Sequence, residues 1–459
     1  MVESTFMNPL TLLACSTLIW APPVLAQKAP EPVIIPSQSA AADPMELLAG
    51  SAETWKVTPA QFGEVLGRFR PEWLDAGKTQ ARIGDITRKE TDQRPTIIGG
   101  KLPVCEAVVH FADGVVQRVQ ISLYNRGDAG DISPDAFKAR IESAKAAITE
   151  KAGNPGQDRG KASGAVLTKG WVWKNESTQY LLESSMKRMQ GDDRPEFLRL
   201  VMVPSATQVK PALGSQTAAG KSAATATLTS LKANVKTVDG GDTYIANVPM
   251  VDQGQKGYCV VATAERVMRY YGADVDQHEM AQMADSSSGG GTNPTKMTEA
   301  LDRIDSKFKL RLKRILPWTE RGYLDLIKEY NRAARSNKTR QISEAETYNV
   351  AVAYGEMDAG TLKKSRATTS AVDKFKKLVR TNIDAGIPLM WSVQLGLFKE
   401  GKLPQSGGGH MRLIIGYNDT ANEILFSDSW GAGHELKRMN GDEAWTITSG
   451  LYGMEPKLK

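Results

Sequence analysis

Three residues in this 459-residue chain have types and settings that suit covalent chemistry. Cys259 ends the glycine-rich run Gln253-Gly254-Gln255-Lys256-Gly257-Tyr258-Cys259. After it, the apolar stripe Val260, Ala264, Val267, Met268 and Tyr271 predicts a helix stopped by Gly272. The thiol is thereby placed in the first turn, where unpaired backbone N–H groups and the positive end of the helix dipole favour thiolate over thiol. An imidazole is still needed to hold the negative sulfur. His410 opens the apolar run Met411-Arg412-Leu413-Ile414-Ile415-Gly416-Tyr417, and Asp428 ends the run that begins at Glu423. Asn418 to Asn422 between the two runs predict an antiparallel hairpin that brings His410 and Asp428 to the same end of the sheet. There a carboxylate can accept the imidazole N–H and fix its tautomer, as a triad requires.

The motifs Gln-Gly-x-x-Gly-x-Cys, a His opening an apolar strand that ends in Gly-Tyr, and Asp428-Ser429-Trp430-Gly431 resemble the core of papain-like cysteine peptidases over about residues 243–453. Asp428 stands where papain has Asn, which looks more like the bacteriocin-leader-peptidase branch and its stand-alone bacterial relatives. The resemblance implies Cys259 as nucleophile, His410 as general base and acid, Asp428 as the orienting carboxylate and Gln253 as an oxyanion donor together with the Cys259 N–H. It also implies Gly290 and Gly291 as substrate-binding candidates, beside Gly409 and Trp430 that flank the histidine and the aspartate. An indole next to Asp428 would keep water from the carboxylate–imidazole hydrogen bond. The reading of His434 and His278 is as surface residues.

The elements that must position these groups predict an α+β fold: a cysteine-bearing helix packed on an antiparallel sheet, preceded by a separate small α+β domain. Residues 1–26 lack Lys and Arg, run apolar through Leu10 to Ala14 and Leu18 to Trp20, and end Val24-Leu25-Ala26. They read as a secretory signal, with a secreted or periplasmic location; lipid attachment at Cys15 is not expected, because the apolar run before it is short. Residues 27–43 read as a flexible lead-in and 44–205 as the N-terminal domain. Within that domain Thr58-Pro59 and Ser133-Pro134 open helices, and Val104 to Phe111 pairs with Val115 to Tyr124. Nothing in this domain concentrates acid, base or metal ligands; His110 and Cys105 read as structural. Residues 206–241, rich in Ala, Ser, Thr, Lys and Gly, read as a linker unable to order itself, and 242–459 as the peptidase domain. In that last domain Pro388 to Leu395 and Ala444 to Thr448 read as strands.

With the signal removed, Cys105 and Cys259 are the remaining cysteines, which excludes a disulfide scaffold. A net charge of +6 spread along the chain gives no nucleic-acid signature, and no later run approaches the roughly 20 apolar residues of a membrane span. No metal site or cofactor is expected, since ligands at zinc-type spacing are missing. The expected partner is a peptide or protein substrate, with contact to the N-terminal domain inside the chain. The function expected is hydrolysis of peptide bonds through a Cys259 thioester. The same geometry also serves acyl transfer or amide hydrolysis, as in a transglutaminase or amidase, and a papain-fold scaffold that binds peptides without turnover is the alternative of another class.

Overall fold

The computed structural model describes residues 43–74, 78–84, 95–159, 166–190, 193–207, 226–251, 253, 258–272, 280–281, 299, 301–302, 310–367, 369–431 and 433–456. The expected signal, the lead-in up to residue 42, and Gly290, Gly291 and His278 lie outside the described residues.

Helices begin where the caps predict. Thr58 accepts from the Gln61 N–H at the start of Pro59–Leu66, and Ser133 from the Ala136 N–H at the start of Pro134–Ala152. Gly153, at φ 72°, ends the second helix in the left-handed conformation that glycine adopts without strain. These helices pack on an antiparallel sheet of spatial order Glu72–Trp73, Gln80–Ile83, Glu106–Ala112, Val115–Asn125, Arg194–Pro204, Thr178–Lys187, Val166–Lys174 and Gln157–Arg159. Its core includes Phe62, Ile121, Phe137, Ile148, Trp173 and Leu200. Cys105 is buried there as a free thiol whose S–H meets the Leu123 carbonyl at 3.5 Å.

A second sheet carries the order Val235–Thr237, Asp242–Ile245, Gly408–Asn418, Leu389–Leu395, Thr448–Pro456 and Leu310–Leu316. Glu423–Ser427 pairs with Gly408–Asn418 and with Lys437–Asn440, so the hairpin around Asn418 to Asn422 is present. Its apolar faces divide between two cores. The cysteine helix Cys259–Tyr270 packs on Met390, Met411, Leu413 and Tyr452, and the helix Thr369–Ile383 places Phe375, Val379 and Ile383 against Trp391, Ile414 and Phe426. Each such buried Leu, Ile or Phe contributes roughly 1.5–3 kcal/mol relative to leaving it in water. The helix Glu320–Asn337 buries Tyr323, Ile327, Tyr330 and Ala334, a single stripe at spacings of four, three and four residues.

Two stretches differ from the sequence reading. Ala444 to Thr448 does not form a strand: Gly441–Ile447 is a helix, and the strand begins at Thr448. Asn440 accepts from the Asp442 N–H, and Asp442 with Glu443 supplies negative charge to the first turn, so local capping outweighs the β-rich composition. The stretch read as linker is described from residue 226, and its last part is ordered. Thr227 caps the helix Leu228–Ala233, and Val235–Thr237 pairs with Asp242–Ile245. Leu231, 1% exposed, joins the core of the cysteine helix, and with the strand pairing it anchors a segment whose composition is otherwise polar. Gly240 and Gly241, at φ 96° and 89°, make the turn between those two strands. Residues 42–459 form one compact unit.

Candidate active site

Cys259 begins its helix with Tyr258 at the cap position, and Tyr258 makes no side-chain capping bond. The first amides are therefore not claimed by a Ser, Thr or Asp side chain, the usual occupants of that position. The helix lies against the histidine strand, where the Thr263 hydroxyl donates to the Met411 carbonyl at 3.3 Å. Cys259 is 5% exposed. Burial pushes its thiol up, but His410 and the backbone amides of Met411 and Val260 outweigh burial, and the net effect lowers it below the ordinary thiol value. The Val260 amide belongs to the first turn, the place where the sequence puts the favourable dipole.

His410 sits opposite Val393 in the sheet and is fully buried. Its Nε2 lies 3.2 Å from Oδ1 of Asp428, the residue directly after the strand Glu423–Ser427. Burial alone would raise the Asp428 carboxyl. Contacts with His410 and His434 and the charge of Arg412 instead hold it well below the usual carboxylate range. An ionised carboxylate only accepts, so Nε2 carries the hydrogen and Nδ1 is left with the lone pair. Burial would likewise lower His410, yet Asp428 and Cys259 keep it above the ordinary imidazole value. Both shifts favour a thiolate–imidazolium pair. Trp430, 8% exposed, stacks on the imidazole with ring centroids 4.1 Å apart and planes 6° from parallel.

Gln253 arrives at the same place through Ser429. Its backbone N–H donates to the Ser429 carbonyl at 2.8 Å, and the Ser429 hydroxyl donates to its Oε1 at 2.6 Å. With the carbonyl end of the carboxamide held, its other end is a donor. Cys259, His410, Asp428, Trp430 and Gln253 are thus brought together from a helix, two strand ends and the segment before the helix. Gly409 is in the ladder opposite Gln394, and its carbonyl accepts from Gln405 Nε2 at 3.2 Å. Among the described residues no group of three or more His, Cys, Asp or Glu is placed to hold a metal ion.

Residues 245–452 match the Peptidase_C39 like family. The chain is a cysteine peptidase, a hydrolase. The matched span starts at the end of the strand Asp242–Ile245 and contains all five of the residues just described. Among solved structures, the crystal structure of Xylellain, a cysteine protease from Xylella fastidiosa, is 10% identical over 50% of this chain and 89% of its own, with a TM-score of 0.24, a likeness too loose to carry more. No curated protein matches the chain.

The same cluster also holds residues that the motifs do not announce. Arg412 Nε donates to Asp428 Oδ1 at 2.9 Å, its Nη2 lies 2.7 Å from Glu400, and its guanidinium sits 4.4 Å over the Phe426 ring. Two residues beyond His410 on one strand, it shares the histidine's face, a period-2 signal visible in the sequence. Arg266 donates to the carbonyls of Asp428 and Pro249 and to the Ser427 hydroxyl, at 2.9, 2.7 and 2.6 Å. It lies two helical turns from Cys259, on the same face of the helix. His434 corrects the expectation of a surface residue. Its side chain is 13% exposed, packs edge-on to Trp430 at 5.5 Å, and places Nδ1 3.9 Å from Asp428 Oδ2. The reason is the turn after Asp428: the Asp428 N–H and the Ser427 hydroxyl both donate to the His434 carbonyl, folding residue 434 back over the carboxylate.

Proposed function

We propose that this peptidase cleaves peptide bonds through a thioester on Cys259. His410 Nδ1 takes the thiol proton, and Asp428 holds the ring by its Nε2–H. The thiolate attacks the scissile carbonyl. The oxyanion is met by the Cys259 N–H and the Gln253 carboxamide, and the imidazolium protonates the leaving amine. Water activated by the same imidazole then hydrolyses the thioester. The observation that carries this reading is the buried His410–Asp428 pair at 3.2 Å, coupled to a cysteine whose thiol is lowered despite its burial.

Asp428, in the position that papain fills with Asn, supports a place near the bacteriocin-leader-peptidase branch and its stand-alone relatives. The apolar opening through Leu10 to Ala14 and the ending Val24-Leu25-Ala26 support work outside the cytoplasm. The domain reading that accompanies this is a peptidase half from residue 242 and an N-terminal half over 44–205. Among the described residues no helix is long and apolar enough to cross a membrane.

A thiol alkylator tests the reading directly. Fast, pH-dependent labelling of Cys259 with slow labelling of Cys105, together with loss of peptide hydrolysis in Cys259→Ala, is the expected result. Equal slow labelling of both thiols, or undiminished hydrolysis by Cys259→Ala, would sink it.

A further inference from the structure

The N-terminal sheet meets the peptidase half along the cysteine helix, and one of these contacts is made by the residue before Cys259. The Tyr258 hydroxyl donates to Asn125 Oδ1 at 2.9 Å, with both residues 2% exposed. Asn125 ends the strand Val115–Asn125 of the N-terminal sheet, and its Oδ1 also accepts from the Gly127 N–H at 2.7 Å. A Cβ on Gly127 would lie 1.7 Å from the Tyr258 hydroxyl oxygen, so the slot that receives the phenol exists only because residue 127 is glycine.

Further along the same helix there is a second anchor. Glu265, fully buried, sits 3.7 Å from Arg82 and 2.8 Å from Arg269; Arg269 in turn donates to Gln80 Oε1 at 2.7 Å. Arg82 and Gln80 belong to the strand Gln80–Ile83 of the N-terminal sheet. A third contact joins the Met250 N–H to the Leu74 carbonyl at 3.2 Å, three residues before Gln253. In a peptidase half standing alone, Glu265 and Arg269 would form the solvated face of an amphipathic helix; here the N-terminal sheet covers that face.

We propose that the N-terminal sheet is a working part of the peptidase, and that Asn125 is a positioning residue for Cys259, acting through Tyr258. The cysteine helix starts without a side-chain cap. A helix start that keeps its first amides for a sulfur or an oxyanion cannot use a Ser, Thr or Asp cap, because that side chain would take the same amides. The orientation of the first turn must then be fixed from outside the helix. The phenol locked between Asn125 and Gly127 fixes it, and with it the direction of the Val260 amide that lowers the Cys259 thiol. The inference rests on Cys259 being the nucleophile.

The test uses the full chain and the variants Asn125→Ala and Tyr258→Phe, with iodoacetamide labelling of Cys259 followed from pH 5 to 9 and hydrolysis of a peptide substrate measured alongside. Loss of the lock should move the labelling profile up by about one pH unit, a roughly tenfold slower reaction on its acid side, while Cys105 labels as before. The kcat should fall by about the same factor with KM changed less than about twofold. The double variant should be no worse than either single one, since both remove the same bond. Tyr258→Phe keeps the ring in its slot and decides the matter if Asn125→Ala does not fold. An unchanged profile in Tyr258→Phe, beside fast wild-type labelling of Cys259, overturns this inference alone. Faster turnover in either variant overturns it too, because the sheet would then restrain the site. Slow and equal labelling of Cys259 and Cys105 in the wild type overturns both this inference and the proposed mechanism.

Discussion

Trp430 and His410 lie face to face, 4.1 Å between ring centroids and 6° from parallel. The stacked indole restricts how the imidazole can turn, which keeps Nε2 on Asp428, and a π face in this position favours an imidazolium over a neutral ring. His434 packs edge-on against Trp430 at 5.5 Å. The carboxylate–imidazole bond is thus sealed on the side where the sequence places only the motif Asp-Ser-Trp-Gly.

Trp430→Ala should lower kcat between about 2-fold and 30-fold, the span of a desolvated cation–π contact of roughly 0.5–2 kcal/mol. Trp430→Phe should retain most of the rate. Steady-state kinetics on both variants check this, and equal loss in both would mean that the indole only fills space.

The Asp428 variants should separate charge from shape. Asp428→Asn keeps an acceptor for the Nε2–H and should leave measurable activity. Asp428→Ala should lose nearly all of it, and should also destabilise the fold by about 3–5 kcal/mol, because Arg412 and Arg266 converge on this residue and Arg412 would keep a buried charge with one partner fewer. Denaturant melts of the two variants give the comparison. Matching stability in both would show that Glu400 alone balances Arg412.

Gln253→Ala should reduce kcat by on the order of 10²-fold with KM little changed, as expected for one oxyanion donor. Ser429→Ala should produce a smaller loss of the same kind, about 2-fold to 10-fold, because it removes the hydroxyl that holds Gln253 Oε1 at 2.6 Å. A change confined to KM in both variants would instead make the pair a substrate-positioning device.

The pH profile follows from the signs of the shifts. Cys259 is lowered and His410 raised, and both shifts favour the thiolate–imidazolium pair. The kcat/KM should rise as pH passes up through the lowered thiol value, and fall as pH passes up through the raised imidazole value, where the acid for the leaving amine is lost. Asp428→Asn removes a carboxylate that raises His410, so the alkaline limb should move to lower pH. A profile whose alkaline limb is the same in wild type and Asp428→Asn would remove Asp428 from the control of His410.

The sequence by itself determined the chemistry and the order in which it is laid out. A cysteine after a glycine-rich turn, a helical stripe from Val260 to Tyr271, and two apolar runs around a polar turn specify a helix start and a hairpin, and these are properties of neighbouring residues. Helix starts at Thr58 and Ser133 are legible for the same reason, since a cap is a bond between residues two or three apart. Where local signals compete, as at Ala444 to Thr448, an Asn440 cap decided for helix over strand. Tertiary structure alone decided what meets across long separations. Arg412 and Arg266 look like ordinary polar residues until the sheet closes and gives them Asp428, and His434 becomes an inner residue only when the turn after Asp428 folds back. Tyr258 finds Asn125 across 133 residues, a pairing no periodicity records, because burial of a polar group depends on which distant surface supplies its partner.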